Sequence, residues 1–213
     1  MSEQKRDIFK WLTIFNTVGI LAIGSLIGYI YVANRPSRPQ EPKVVKNIDM
    51  RPLVEATQYK GAKDPKVNIV IFNSFTCGFC KKSREVMHQV LQKYPDNVRL
   101  VYRHFSRNEV DEKAGMAAEC AGDQNKFWQM YDAIYSDDEG TFDYLAYAKK
   151  AGVNVGIFNQ CIASNKYQSK VDRDTEMGRT LGIQGTPTFI VNGEMIVGYR
   201  PYSFFESMVK KSI

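Results

Sequence analysis

Two cysteines three positions apart, Cys77 and Cys80, are the residues of this chain best suited to chemistry. A cysteine reacts as its thiolate, and a free thiol titrates at about 8.5. A helix N-terminus offers unpaired N–H groups and partial positive charge, both of which favour the anion. Positions i and i+3 of a helix share a face, so two sulfurs in a first turn can form or open a disulfide. Gly78 and Phe79 fill the turn between them and tune the relative stability of dithiol and disulfide. The same spacing could supply half of a structural zinc site, which needs two more ligands close by. Cys120 and Cys161 stand alone, His88 falls inside a helical pattern and His104 at a strand end. With no second pair, neither a metal nor another cofactor is expected.

The elements around the pair follow from hydrophobic periodicity. Val67–Phe72 is short, apolar and β-branched, which predicts a buried strand. Val86, Met87, Val90, Leu91 and Tyr94 recur at helical spacing before Pro95. Val98–Phe105 predicts a second strand, so Cys77 falls at the strand-to-helix junction of a βαβ unit. From 109 to 181 the apolar spacing is helical: Ala117 and Ala121; Phe127, Tyr131 and Ile134; Phe142 and Leu145; Tyr167 and Val171. Gly152 and Gly182 read as helix stops. Thr188–Val191, the turn Asn192-Gly193 and Met195–Val197 predict a hairpin with a type I′ turn. Tyr202, Phe205, Met208 and Val209 then form a final amphipathic helix. The expected fold class is α/β: βαβ, a helical insertion over about 109–181, then ββα.

The 213 residues suit one such domain and an attachment segment. Residues 11–33 carry no charge and can span a bilayer core of about 30 Å as a helix. Trp11, Tyr29 and Tyr31 lie near the ends of this run, where amphipathic rings favour the interface. Tyr31-Val32-Ala33 is a poor cleavage site, so the run predicts an uncleaved transmembrane signal anchor. Residues 1–10 are then the cytoplasmic N-terminus and the domain lies on the extracytoplasmic face. Residues 34–60 read as a proline-rich basic linker, with Val44–Ile48 a candidate first edge strand, and the domain proper as 61–213. The net charge of +6 is concentrated before the domain: residues 34–66 hold eight Lys or Arg against four Asp or Glu. That placement fits anionic lipid or solvent and argues against a nucleic-acid face.

Gly185-Thr186-Pro187-Thr188 places a proline just before a buried strand, where it marks a strand start or a cis bond. From about Gly61 onward the chain resembles the DsbA-like branch of the thioredoxin superfamily. The resemblance rests on Phe75-Thr76-Cys77-Gly78-Phe79-Cys80-Lys81, Ala118-Glu119-Cys120-Ala121, Phe127-Trp128 and the run Gly182–Gly193. It implies a thioredoxin fold with a helical insertion, a catalytic pair Cys77 and Cys80, and a cis Pro187 beside it. It also implies that Thr186 offers backbone groups to a bound substrate chain. Many relatives place a buried acid six residues before the first active-site cysteine, and here that position is Ile71. Cys120 and Cys161 are open to two readings, small buried packing residues or a structural disulfide such as some relatives carry. An oxidising compartment favours the disulfide.

The expected function is thiol–disulfide exchange on exported, cysteine-containing polypeptides, most readily as an oxidase recharged by a membrane redox partner. Isomerase or reductase activity, a copper- or zinc-handling dithiol, and an anchored chaperone-like module are the alternatives. Redox turnover of a reduced peptide separates the first class from the rest.

Overall fold

The computed structural model describes residues 24–26, 28–30, 47–55 and 58–213. The expected membrane segment at 11–33 lies largely outside the described residues; residues 24–26 and 28–30 of it are helical. Among the described residues no helix is long and apolar enough to cross a membrane.

The chain groups into two units, residues 1–41 and 42–213. The second holds a five-stranded sheet of order β1-β3-β2-β4-β5. Its strands are β1 (Tyr59–Gly61), β2 (Val67–Asn73), β3 (Val98–His104), β4 (Thr188–Val191) and β5 (Glu194–Val197). β2 and β3 run parallel, in register from Val67↔Val98 to Asn73↔His104, and the other pairs are antiparallel. A parallel pair needs a crossover, and it is the helix α2 (Gly78–Lys93), which follows a short α1 (Arg51–Val54). Five helices separate β3 from β4: α3 (Glu109–Gly122), α4 (Phe127–Tyr135), α5 (Tyr144–Ala151), α6 (Val155–Ala163) and α7 (Gln168–Thr180). The chain ends in α8 (Tyr202–Ser212).

Both faces of the sheet are buried, which is why β2 and β3 read as nearly continuous apolar runs. One face presents Ile69, Ile71, Leu100, Tyr102 and Phe189 to α2, α8 and the insertion. The other presents Val70, Phe72, Val101 and Ile190 to Leu53 of α1 and to Met177 and Leu181 at the end of α7. α7 comes in closely because residue 178 is glycine: a Cβ there would stand 2.6 Å from the Phe105 ring. In the hairpin turn Asn192 and Gly193 both take positive φ, 46° and 91°, as a type I′ turn requires.

Two expectations change, and a third falls largely outside the described residues: of the candidate strand Val44–Ile48 only Asn47 and Ile48 are described, neither in a strand, and Ile48 donates its N–H to Gly193 O. One edge strand of the sheet is Tyr59–Gly61, paired antiparallel with β3. Folded structure therefore begins inside the stretch read as linker, because Leu53, only 1% exposed, fills the second face of the sheet. Leu145, expected inward, is exposed: α5 starts at Tyr144 behind the cap Asp143 and buries Tyr147, Ala148 and Ala151.

Candidate active site

The chain between β2 and α2 is short, and a buried carboxylate fixes its path. Asp111, on α3 and 2% exposed, accepts the Ser74 hydroxyl at 2.9 and 2.8 Å. It also accepts the N–H groups of Thr76 at 2.9 Å and Arg107 at 3.2 Å. Ser74 O in turn accepts the Tyr135 hydroxyl at 2.9 Å and the Cys77 N–H at 3.2 Å. This clasp delivers Cys77 as the N-cap of α2, in extended conformation, with Gly78 as the first helical residue. Lys81 N–H closes the first turn on Cys77 O at 3.0 Å. Phe79 stands out from the turn, 59% exposed, with the Lys82 ammonium 5.7 Å from its ring centre.

Both cysteines are free thiols, Cys77 8% exposed and Cys80 fully buried. Their environments pull them apart. The Cys80 thiol donates toward the Cys77 sulfur, and the N–H groups of Phe79 and Cys80 add to that at the helix start. Against the opposing effect of burial, these donors lower the Cys77 pKa to about 5. The buried Thr186 hydroxyl also favours the thiolate. The Thr186 carbonyl, 3.2 Å from Cys77 Sγ, accepts the thiol proton and works the other way. Cys80 is pushed far up, first by burial and then by its hydrogen bond to Cys77. At neutral pH the pair is one thiolate and one thiol, which are the states of an attacking and a resolving cysteine.

Thr186 and Pro187, far away in sequence, complete the rim. Their peptide bond is cis. Thr188 Oγ1 donates to Gly185 O at 2.7 Å, and Gly198 N–H donates to Pro187 O at 2.8 Å, so the loop is held at both ends. Cys77, Cys80, Thr186 and Pro187, with Gly78 and Phe79 between the cysteines, therefore converge on one site. Cys120 and Cys161 lie apart from it, bonded to each other between α3 and α6 with Cα atoms 5.8 Å apart. His88 Nε2 lies 3.3 Å from the Asp132 carboxylate and His104 Nε2 2.9 Å from that of Glu119, so the two histidines sit in separate places, each beside one carboxylate. Among the described residues no three His, Cys, Asp or Glu side chains converge as a metal site.

Ile71, six residues before Cys77, is buried in the core. What surrounds Cys80 there is phenolic. Tyr102, Tyr131 and Tyr135 are all buried, and burial raises each of their pKa values, with negative charge at Cys80 adding to it. Sequence reading passed over the Asp111 clasp. Its one local sign is Asn108, which caps α3 by accepting the Asp111 N–H at 2.9 Å and so turns that aspartate inward.

A family model described as thioredoxin matches residues 54–211. The chain belongs to the thioredoxin family. Among solved structures it is similar to a thioredoxin-like oxidoreductase from Silicibacter pomeroyi DSS-3, with TM-score 0.67 and 22% identity, covering 72% of this chain and 90% of that one. It is similar also to the thiol-disulfide exchange protein alpha-DsbA2 of Wolbachia pipientis, at TM-score 0.65 and 22% identity over 72% and 85% of the two chains. BdbD of Bacillus subtilis gives TM-score 0.65 and 18% identity over 72% and 91%. These likenesses establish a thioredoxin-like fold. In sequence, 149 residues are 30% identical to part of the Na(+)/H(+) antiporter NhaA 3 of Salinispora tropica, covering 68% of this chain and 22% of that protein. The NhaA antiporter of Herminiimonas arsenicoxydans matches over 189 residues at 25% identity, covering 85% and 30%. This thioredoxin-family chain thus spans less than a third of the length of those curated relatives.

Proposed function

We propose that this domain exchanges disulfides with cysteine-containing polypeptides and that it runs in the oxidising direction. The observation that carries the reading is the split between Cys77, held as a thiolate with a pKa of about 5, and the fully buried, protonated Cys80. In the oxidised form, a substrate thiolate attacks Cys77 Sγ. The Cys77–Cys80 bond breaks and Cys80 leaves, taking up a proton. A second substrate thiolate then attacks the substrate sulfur of the mixed disulfide, and Cys77 departs. A thiol of low pKa is the better leaving group. The substrate gains a disulfide, and its two electrons remain on the dithiol. Stabilising the Cys77 thiolate stabilises the reduced protein, which makes the disulfide a stronger oxidant.

Turnover requires a partner that takes those two electrons. The uncharged run at residues 11–33 supports a membrane anchor, with the domain outside the cytoplasm and the recharging partner in the same membrane. The Thr186 backbone, beside Cys77, is the edge on which the substrate chain lies. The deciding measurement is the Cys77–Cys80 equilibrium in defined glutathione buffers. A potential well above the thioredoxin value of about −270 mV supports an oxidase, and one at or below it makes the domain a reductase.

A further inference from the structure

The site has a second wall, which the exchange chemistry leaves unused. Between Cys77 and the loop joining α4 to α5 lies a cleft of about 240 Å³. Cys77 and Gly78 form one side of it, and Ile134, Tyr135 and Phe142 give it apolar walls. Its outer lip is the acidic run Asp137-Asp138-Glu139.

The loop is built to hold this shape. The Asp137 carboxylate accepts the N–H groups of Glu139 at 2.9 Å and Thr141 at 2.7 Å, the Thr141 hydroxyl at 3.0 Å, and the Tyr147 hydroxyl. The Lys81 ammonium ties it to α2, donating to Asp137 O at 2.8 Å and Asp138 Oδ1 at 2.6 Å. Phe142 is set into the cleft at φ 52°, a conformation that a bulky residue rarely takes. A wall fixed in this way binds without first having to be ordered.

The charges at the lip are unequally committed: the Asp137 carboxylate is taken up by loop donors and Asp138 pairs with Lys81, while among the described residues Glu139 has no ion pair. An apolar slot ending at carboxylates suits a side chain with an aliphatic stem and a cationic head. We infer that this cleft is a substrate subsite selecting polypeptides with Lys or Arg beside the reacting cysteine. The inference rests on the proposed exchange activity. The substrate backbone lies along Thr186, its cysteine meets Cys77, and the neighbouring basic side chain extends over Gly78 into the cleft. Acidic neighbours meet the same lip and are repelled.

The test uses the full chain in its oxidised form and two reduced peptides that differ only in carrying Lys or Glu next to their single cysteine. Each rate is divided by that peptide's rate with oxidised glutathione, which removes the effect of the neighbour on the peptide's own thiol. The Lys peptide should react about fivefold faster at low ionic strength, and the preference should shrink in high salt. In Glu139→Lys the ratio should fall to one or invert, and taking the ratio cancels any general change in rate. Equal normalised rates in the natural protein, or an unchanged ratio in Glu139→Lys, would overturn the subsite. Loss of exchange between reduced protein and oxidised glutathione is a different failure: it would overturn the exchange activity itself, and the subsite with it.

Discussion

At neutral pH the Cys77 sulfur is charged, while Cys80 one turn later keeps its proton. Iodoacetamide should therefore label the reduced protein at Cys77 with a midpoint near pH 5 and leave Cys80 unlabelled. A midpoint of about 8.5, or labelling at Cys80, would show that the Cys80 thiol and the helix start do not activate Cys77. The same asymmetry ties stability to pH. Between about 5 and the ordinary thiol value, the unfolded chain holds a proton on residue 77 that the native reduced protein has lost. Stability of the reduced form must rise with pH across that window. Below pH 5 the contribution vanishes. Above the ordinary thiol value an opposite loss begins, because unfolded Cys80 ionises and native Cys80 does not. The oxidised form titrates at neither sulfur, so the reduced-minus-oxidised Tm difference isolates the effect. It should increase from pH 5 to 8 by calorimetry, and a flat difference would contradict the assignment. Asp111 acts at this scale too. Asp111→Asn takes a charged acceptor from Ser74, Thr76 and Arg107, and should cost about 2 kcal/mol by urea unfolding in both redox states.

The insertion helices α3 and α6 are joined by Cys120–Cys161, which closes a loop of 41 residues. In the chain-entropy model that closure stabilises the fold by about 4 kcal/mol. A Cys120→Ala/Cys161→Ala variant should unfold at a lower temperature and yet exchange disulfides at a normal rate in the cold, since neither residue reaches the Cys77 cleft. Lost turnover in a folded double variant would place this bond in the redox relay. Elements with strong local signals were legible in the sequence. Asn192-Gly193 specifies its turn through residues that tolerate positive φ, and β2 and β3 announce themselves as runs buried on both faces. β1 did not, because Tyr59-Lys60-Gly61 is three residues long, exposed throughout and defined only by pairing with β3. The Asp111 clasp was equally hidden. Its partners Ser74 and Asp111 lie 37 residues apart, and no periodicity links a polar pair that only the tertiary fold brings together.

Across the whole domain, a buried chain of charges joins the sheet to the insertion. His104 and Lys170 contact Glu119 at 2.9 and 2.8 Å, Lys170 reaches Asp174 at 3.4 Å, and Arg103 meets Asp174 at 2.8 Å. Arg103 also donates to the carbonyls of Pro52 and Leu53, so the network reaches α1. Burial alone would raise the Glu119 carboxyl; the hydrogen bond and charge of His104, with Lys170, outweigh it and hold the pKa at about 2. A lowered carboxyl stabilises the fold fully above its unfolded pKa of 4.5 and loses that contribution as pH falls toward 2. Glu119→Gln should cost about 3 kcal/mol at neutral pH, with the gap to the natural protein narrowing below pH 4.5. A gap independent of pH would show that packing, not charge, sets the cost.

The Cys120–Cys161 bond has a mechanical consequence as well. A force applied at the two termini travels across that sulfur bridge and bypasses the residues between. At roughly 3.4 Å per residue, about 140 Å of extended chain stays locked inside the loop when the domain is pulled open. In a single-molecule stretching experiment the domain with Cys120–Cys161 intact should therefore lengthen by that much less than one in which this bond has been opened. Residues 121–160, which include the whole acidic lip beside Cys77, would remain slack while the strands around them are drawn apart.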